Sequence, residues 1–271
     1  MEQMIIGTLG PEGSFSEKAA RQWNKKAQLR YYEDIPDTVE ALTNGDVDCS
    51  IIPVENSIEG SITQTLDILM EEKLKITGEA IVEINHHLLS KGSRNEIKVV
   101  MSIPQALSQC RKFIKNNLKN IEVRSALSTS NAAKLASESR EIAAIASRES
   151  ANIYSLDILA ENIQDIKENY TRFIVIGKST PHKTGNDKTS IIIYLEKNRP
   201  GALYEILGEF ANRGIDLTKI ESRPTKKALG DYLFYIDLRG HIENGVINET
   251  LENVKNKVGM LKILGSYPAA Q

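Results

Sequence analysis

The chain has 271 residues, of which 41% are hydrophobic and 26% are charged, as in a soluble globular protein of two domains. The formal net charge is −2, from 34 basic and 36 acidic residues, and no basic stripe is present, so nucleic acid is not an expected partner. No stretch approaches the ~20 apolar residues of a membrane span, which excludes a membrane-spanning protein.

The first part of the chain alternates short strands with helices. The predicted strands are 4–9, 29–32 and 49–54, and the predicted helices are 14–23, 36–42 and 63–71. Ser14 and Glu17 fit a capping box at the start of the first helix. Alternation at these lengths predicts an α/β fold with a parallel, doubly wound sheet.

A β-rich segment at 75–89 interrupts this alternation, and we expect it to split the domain into two lobes with a ligand cleft between them. Beyond it we predict the strands 98–102, 122–126 and 142–146, and the helices 104–117, 130–138 and one that ends at Tyr154. The late strands 157–160 and 171–177 are expected to return to the first lobe.

A polar segment with proline and glycine, 181–188, is predicted to be a linker between domains 1–180 and 189–271. After it, strands and helices follow in the order β-α-β-β-α-β. This order predicts a ferredoxin-like second domain.

Small polar residues follow several strands of the first domain, in the loops 10–14, 55–61 and 127–131. Such loops gather at the carboxyl edge of a parallel sheet, where ligands bind and helix N-termini attract anions. Each loop alone predicts only helix caps. The three loops together with Thr171 and Arg172 predict a site for a ligand with more than one carboxylate.

The segment 168–177 leads from a polar loop into an apolar strand. Alternation along a strand places Thr171 and Phe173 on one face, with Arg172 pointing away or lying at the bend. A hydroxyl, a guanidinium and an aromatic ring together suit a pocket for a small carboxylic acid.

Cysteine and histidine usage argues against redox or metal chemistry. Cys49 and Cys110 are the only cysteines and lie far apart, so we expect buried, reduced thiols in a cytoplasmic protein. His86 and His87 are adjacent in a predicted strand and point oppositely, which disfavours a shared metal, and one of them is expected to be structural. We predict neither a metal site nor a cofactor.

Four motifs resemble, in sequence and in order, those of the prephenate dehydratases. They are Gly10-Pro11-Glu12-Gly13-Ser14-Phe15-Ser16, Pro53-Val54-Glu55-Asn56-Ser57, Thr171-Arg172-Phe173 and Glu221-Ser222-Arg223-Pro224. The resemblance covers essentially the whole chain. It implies a two-lobed catalytic domain similar to type II periplasmic binding proteins, followed by an ACT domain that binds L-phenylalanine and inhibits the enzyme. The implied reaction converts prephenate into phenylpyruvate, carbon dioxide and water.

The resemblance also implies roles for individual residues. The catalytic motif corresponds to Thr171, Arg172 and Phe173, of which the threonine is essential. The substrate-binding positions correspond to Asn56, Ser57, Gln105, Gln109 and Thr129. The effector-binding motifs, which face each other across an ACT dimer, correspond to Gly201, Ala202, Leu203, Glu221, Ser222, Arg223 and Pro224. A homodimer or homotetramer through the ACT domains is therefore expected.

The implied chemistry sets requirements on these residues. Hydroxide is a poor leaving group, and a threonine hydroxyl is a weak acid, so we expect Thr171 to act within a hydrogen-bonded set that includes a water or Ser57. An arginine on the departing ring carboxylate would stabilise the ground state. If Arg172 touches the substrate, we therefore expect it to grip the pyruvyl carboxylate.

Two other functions remain open. An arogenate dehydratase takes the amino analogue of prephenate, and no residue decides between the two substrates. A non-catalytic sensor of amino acids or solutes on the same fold is disfavoured by the intact motif at 171–173. Chorismate mutase, which is fused in front of some relatives, is not expected because the dehydratase pattern already begins at Met4.

Overall fold

The structure is a computed structural model that describes residues 3–195, 199–226 and 230–270. In chain order its elements are β1 (Ile5–Leu9), α1 (Phe15–Trp23), β2 (Gln28–Tyr32), α2 (Ile35–Asn44), β3 (Cys49–Asn56), β4 (Gly60–Ser61), α3 (Thr63–Glu71), β5 (Lys75–Glu83), β6 (His87–Ser90), β7 (Val99–Ser102), α4 (Pro104–Gln109), α5 (Arg111–Asn117), β8 (Glu122–Ser125), α6 (Thr129–Glu138), β9 (Ile142–Ala146), α7 (Arg148–Ile153), β10 (Asp157–Ala160), β11 (Tyr170–Gly177), β12 (Asp187–Tyr194), α8 (Ala202–Ala211), β13 (Leu217–Pro224), β14 (Tyr232–Arg239), α9 (Gly245–Lys255) and β15 (Met260–Pro268). The α/β class predicted from sequence is confirmed.

The chain divides into two compact units. The first comprises Met1–Thr65 and Ala80–Phe173, and the second comprises Leu66–Glu79 and Ile174–Gln271. The helix α3 and the strands β5 and β11 therefore each run from one unit into the other along the chain. The domain bounds proposed from sequence stay a prediction, although β12 already begins at Asp187, within the predicted linker.

The first sheet has the strand order β2-β1-β3-β11-β5, and the short strand β4 pairs with β3. The strand β1 lies parallel to both β2 and β3, as α/β alternation predicts. Its central strand β3 is apolar along most of its length, with Ile51 and Ile52 fully buried, because both faces of a parallel sheet are covered by helices. The strand β11 returns to this sheet, as predicted.

The second sheet has the order β10-β6-β9-β7-β8, in which β7 is parallel to β8 and β9 while β6 is antiparallel to β9. The expectation that β10 returns to the first sheet is wrong. It pairs antiparallel with β6 instead, with Ile158 opposite Leu89. There Leu159 and Ala160 pack against the cluster around Leu88, which closes this edge of the core.

The single helix predicted over 104–117 is divided at Cys110 into α4 and α5. Asp165 provides the physical reason, because its backbone N–H donates to the carbonyl of Gln109 at 2.7 Å. Its carboxylate oxygens accept from the backbone N–H of Lys112, each at 3.2 Å, near the start of α5. The break leaves Gln109 at the last position of α4.

The four-stranded sheet of the second unit has the order β13-β14-β12-β15, with all neighbours antiparallel. Together with α8 and α9 it has the predicted β-α-β-β-α-β order. Its core joins sheet residues such as Ile193 and Ile236 to Phe210 of α8 and Leu251 of α9. The ferredoxin-like prediction is confirmed.

Both cysteines are free and buried, as predicted. Burial raises the pKa of Cys49 to about 11 and that of Cys110 to about 12, so neither is a ready nucleophile. Within residues 3–195, 199–226 and 230–270, no helix has the length and apolarity needed to cross a membrane.

Candidate active site

A cavity of about 500 Å³ lies among the loops of the first and second sheets, entirely within the first unit. This volume is within the usual range for a small-molecule site. Six of the eight predicted catalytic and substrate-binding residues line it: Asn56, Gln105, Gln109, Thr129, Thr171 and Phe173. The side chains of Thr171 and Phe173 share this face of β11, as strand alternation predicts.

Hydroxyl groups and helix N-termini supply part of the polar lining of the cavity wall. Ser14 Oγ accepts from the N–H of Glu17 at 3.1 Å and caps α1, and Ser128 Oγ accepts from the N–H of Asn131 at 2.9 Å and caps α6. The remaining N–H groups of a first turn and its positive dipole end favour anions. The lining residues of the described chain include the acidic Glu59 but no lysine or arginine.

The carboxamide of Asn56 is oriented by the backbone. Its Oδ1 accepts from the N–H groups of Ile58 and Glu59, both at 3.0 Å, and a backbone N–H can only donate. Its Nδ2 therefore faces Thr171, to whose Oγ1 it donates at 2.9 Å. Because this lone pair of Oγ1 is engaged by a donor, the hydroxyl hydrogen of Thr171 points away from Asn56.

The same network continues into the second sheet's helices. Asn56 Nδ2 also donates to Asn169 Oδ1 at 2.8 Å, and Asn169 Nδ2 donates to Gln109 Oε1 at 2.9 Å. His86 Nε2 lies 3.2 Å from the same Gln109 oxygen, so Nε2 carries the hydrogen. We refer to these five side chains, from Thr171 through Asn56, Asn169 and Gln109 to His86, as the amide chain.

His86 is buried beside the cavity and packs edge-on against Phe15, with ring centroids 5.8 Å apart. Burial lowers the pKa of His86 to about 4, with the hydrogen bond to Gln109 opposing the shift and nearby His87 adding to it. The ring is therefore neutral at pH 7. Its buried Nδ1 has no hydrogen-bond partner among the described residues.

Ser57 is exposed and is not part of the cavity wall. Its N–H donates to the carbonyl of Tyr170 at 2.8 Å, and its Oγ accepts from the N–H of Tyr170 at 2.9 Å. Ser57 thus joins the loop after β3 to the start of β11. The expectation that Ser57 contacts the substrate or assists Thr171 stays a prediction.

Arg172 is likewise outside the cavity, although Thr171 and Phe173 on either side of it line the wall. Its Nη1 lies 3.7 Å from Glu55 Oε2, and its side chain is only 12% exposed. Strand alternation turns it away from its two neighbours. The hypothesis that Arg172 grips the pyruvyl carboxylate stays a prediction, which this position outside the cavity wall does not support.

The predicted effector-binding motifs both lie in the second unit. Gly201, at φ +85°, precedes α8, whose first turn contains Ala202 and Leu203. The residues of the second motif, Glu221, Ser222, Arg223 and Pro224, end the edge strand β13. Their effector role stays a prediction.

Comparison with known proteins agrees with this geometry. Residues 6–181 match the family model described as prephenate dehydratase, and residues 189–256 match that of the ACT domain. The chain belongs to the prephenate dehydratase family. The resemblance inferred from the four sequence motifs is thereby confirmed.

Relatives within the prephenate dehydratase family extend along the whole chain. A protein of Methanocaldococcus jannaschii named prephenate dehydratase is 43% identical, with 99% of both chains aligned. A bifunctional chorismate mutase/prephenate dehydratase of Aquifex aeolicus is 42% identical over 99% of this chain and 75% of its own length. The crystal structure of prephenate dehydratase from Arthrobacter aurescens in complex with L-Phe superposes with a TM-score of 0.88 at 34% identity, covering 98% of this chain and 90% of that one.

Sequence reasoning missed two members of the amide chain. Asn169 lies two residues before Thr171, and the alternation that paired Thr171 with Phe173 could have placed Asn169 on the same side. For His86 the sequence offered a weaker signal, because the only indication was its position where the β-rich segment passes from one lobe to the other. Its link to Gln109 depends on tertiary structure that no local pattern encodes.

The lowered pKa of His86 predicts a pH-dependent contribution to stability. In the unfolded chain the ring protonates near 6.5, so between pH 6.5 and 4 the unfolded state binds more protons and the folded state loses stability as the pH falls. The His86 share of this loss is about 3 kcal/mol. We expect His86→Gln to lose correspondingly less unfolding free energy than the unsubstituted chain between pH 7 and pH 4.

Urea titrations followed by circular dichroism at both pH values measure this difference. His182→Gln is the matched control, because it makes the same replacement at a histidine whose side chain is 100% exposed. An identical loss of stability in His86→Gln and the unsubstituted chain would show that His86 is not held neutral.

Proposed function

We propose that this chain is a carbon–oxygen lyase that converts prephenate into phenylpyruvate, carbon dioxide and water, as a step in phenylalanine biosynthesis. The names of its relatives support the proposal. The observation that carries it is the hydroxyl of Thr171, which lines the cavity and accepts from Asn56. Its hydrogen is therefore free to be donated toward a ligand.

This hydroxyl suits the difficult part of the reaction. The bond between the ring and its carboxylate breaks, its electron pair completes the aromatic ring, and the C4–O bond releases hydroxide, which a proton from solvent converts to water. The developing negative charge on the leaving oxygen is stabilised by a donor aimed at it. Thr171 supplies that donor, and the hydrogen bond from Asn56 polarises it in the required direction.

The absence of lysine and arginine among the described lining residues fits the fate of the ring carboxylate. A full cation would stabilise this group before it loses its charge, and would raise the barrier. The N-termini of α1 and α6, with the hydroxyls of Ser128 and Thr129, offer partial positive charge instead. We infer that they receive the two carboxylates of the substrate.

Replacement of Thr171 tests the function directly. We expect the unsubstituted chain to form phenylpyruvate from prephenate, and Thr171→Ala to lose about 100-fold or more in kcat, because it removes a donor to the leaving oxygen. Thr171→Ser, which keeps the hydroxyl, should retain much of the activity. Initial rates of phenylpyruvate formation provide the measurement.

The exposed Thr43→Ala is the matched control, since Thr43 lies on α2 and donates only to the carbonyl of Val39 in the same helix. Near-normal turnover in Thr171→Ala would remove Thr171 from the mechanism. Arogenate, the amino analogue, is assayed beside prephenate, and a chain that binds but turns over neither substrate would be a sensor.

Arg172→Lys tests whether the guanidinium group binds the substrate. Because Arg172 lies against Glu55 and not on the cavity wall, we expect the KM for prephenate to change by less than about threefold. An increase in KM of tenfold or more, with kcat retained, would return Arg172 to the substrate-binding site.

We further propose that L-phenylalanine inhibits the enzyme through the ACT domain. The L-Phe complex of the Arthrobacter aurescens structure supports this. Within this chain, the support comes from α3. Ser61 and Ile62, which line the cavity, immediately precede α3, and the remainder of this helix, from Leu66, belongs to the second unit.

The ACT sheet holds α3 at three places. Arg223 Nη2 and Lys226 Nζ donate to the two carboxylate oxygens of Asp67, at 2.9 and 2.7 Å. Tyr235 Oη donates to the carbonyl of Leu66 at 2.8 Å. Lys262 Nζ donates to the carbonyls of Met70 and Glu72 at the helix end. Burial opposes ionisation of Asp67, but its hydrogen bonds to Lys226 and Arg223 outweigh it and lower its pKa.

Arg223 thus connects the effector motif to a helix that begins at the cavity wall, and Asp67→Asn tests this route. We expect normal activity without phenylalanine and a threefold or greater rise in the concentration that half-inhibits, since a coupling free energy of about 1 kcal/mol corresponds to roughly fivefold. Inhibition curves at fixed prephenate concentration measure the effect.

The matched control is Asp216→Asn, because Asp216 also pairs with an arginine, Arg239, at 2.9 Å, and neither residue of that pair belongs to the effector motifs or to α3. Superimposable inhibition curves for Asp67→Asn and the unsubstituted chain would eliminate this route.

A homodimer or homotetramer through the ACT domains completes the proposal. The strand β13 is an edge strand, and Ile220 on it and Tyr204 on α8 are both exposed apolar residues near the effector motifs. A second copy of the chain would cover them. A cytoplasmic location stays a prediction.

A further inference from the structure

Asn169 lies in the middle of the amide chain, between Asn56 and Gln109. It is fully buried, at 0% exposure, and does not line the cavity. Its own carbonyl accepts from the N–H of Ile84 at 2.8 Å, which fixes the backbone immediately before β11. A buried carboxamide loses stability unless it is hydrogen-bonded, so both ends of this side chain must be used.

Both the oxygen and the nitrogen of the Asn169 carboxamide have partners, and these partners permit only one orientation of the group. Asn169 Oδ1 accepts from Asn56 Nδ2 at 2.8 Å, and Asn169 Nδ2 donates to Gln109 Oε1 at 2.9 Å. Asn56 cannot turn over, because its Oδ1 already accepts from two backbone N–H groups. If the carboxamide of Asn169 were flipped, its N–H group would face the N–H group of Asn56. Its oxygen would then face the carboxamide oxygen of Gln109, and both hydrogen bonds would be lost.

Gln109 belongs to α4, which follows β7 of the second sheet, whereas Asn56 and Thr171 belong to strands of the first. Asn169 is thus the side chain through which a residue of one lobe is connected to the pair that orients the catalytic hydroxyl. Gln109 Nε2 reaches the first lobe independently, by donating to Glu59 Oε1 at 3.3 Å.

We propose that Asn169 is a positioning residue for the elimination, whose carboxamide, held by Gln109, fixes the Nδ2 group of Asn56 at the position from which it orients the hydroxyl of Thr171. This inference rests on the proposed dehydratase function. It assigns Gln109 a second task beside substrate contact, which is to complete the support of Thr171. Asn169 itself does not touch the substrate, so its loss affects kcat more than KM.

Asn169→Asp distinguishes a positioning role from a purely structural one. The aspartate has the same shape and still accepts from Asn56, but when ionised it cannot donate to Gln109. When protonated, it has one acceptor oxygen and one O–H donor, which restores the direction of the amide chain. Burial raises the pKa of a carboxyl group, so protonation should occur on moderate acidification.

We expect the kcat of Asn169→Asp at pH 8 to fall about 10- to 100-fold, less than for Thr171→Ala, with KM within about threefold. As the pH falls from 8 to 5.5, the ratio of its kcat to that of the unsubstituted chain should recover at least fivefold. Asn169→Ala should lose activity without any recovery. Circular dichroism melts at each pH verify that the variants are folded.

Other groups that face Asn169 must not produce this recovery. His86 is neutral across this pH range because its pKa is about 4, and Glu59, which accepts from Gln109 Nε2, is present in every variant. The control is Asn85→Asp, which adds the same charge one residue before His86. Asn85 Oδ1 only accepts, from Gln164 Nε2 at 2.9 Å, so that aspartate should change neither kcat nor the pH profile.

A normal kcat for Asn169→Asp at pH 8, a loss confined to KM, or a low kcat that does not recover on acidification would each overturn the proposal. Failure of the dehydratase assignment is a separate outcome, because in that case the unsubstituted chain itself forms no phenylpyruvate from prephenate.

Discussion

The active site depends on two backbone N–H groups, those of Ile58 and Glu59, that donate to the carboxamide oxygen of Asn56. They come from the turn between β3 and β4, which Gly60 closes at φ +84°, a conformation that costs a residue with a side chain free energy. A backbone N–H has one possible role in a hydrogen bond. The turn therefore decides which end of Asn56 faces Thr171, and every later member of the amide chain follows from that choice.

The side chains that hold Asn56 and Thr171 in place are carboxamides, and they differ in effect from charged side chains at the same positions. Carboxamides carry directional donors and acceptors without a net charge, so they can be buried beside a dianionic substrate without repelling it or binding it too tightly. Arg172 lies against Glu55 and is not among the residues of the cavity wall. In the proposed site, partial positive charge at helix N-termini attracts the substrate instead.

Local sequence patterns predicted the elements, the Ser14 cap, the β-α-β-β-α-β domain and the shared face of Thr171 and Phe173, because each depends on neighbours a few residues apart. The features they missed depend on distant partners. The break at Cys110 is made by Asp165, and the tautomer of His86 is set through Gln109 and the rest of the amide chain. The resemblance supplied residue types at the site, but it could not separate Ser57 and Arg172, which support or flank the wall, from the residues that form it.

The contacts that hold α3 differ in what they can transmit. Tyr235 and Lys262 donate to backbone carbonyls of the helix, so these contacts do not depend on the identity of any α3 side chain. The pair between Asp67 and Arg223 joins two side chains, and only this contact includes a residue of the predicted effector motif. In the proposed route of regulation, an effector that repositions Arg223 changes this pair first. The change would reach the cavity through Ser61 and Ile62, which line the cavity and precede α3 along the chain.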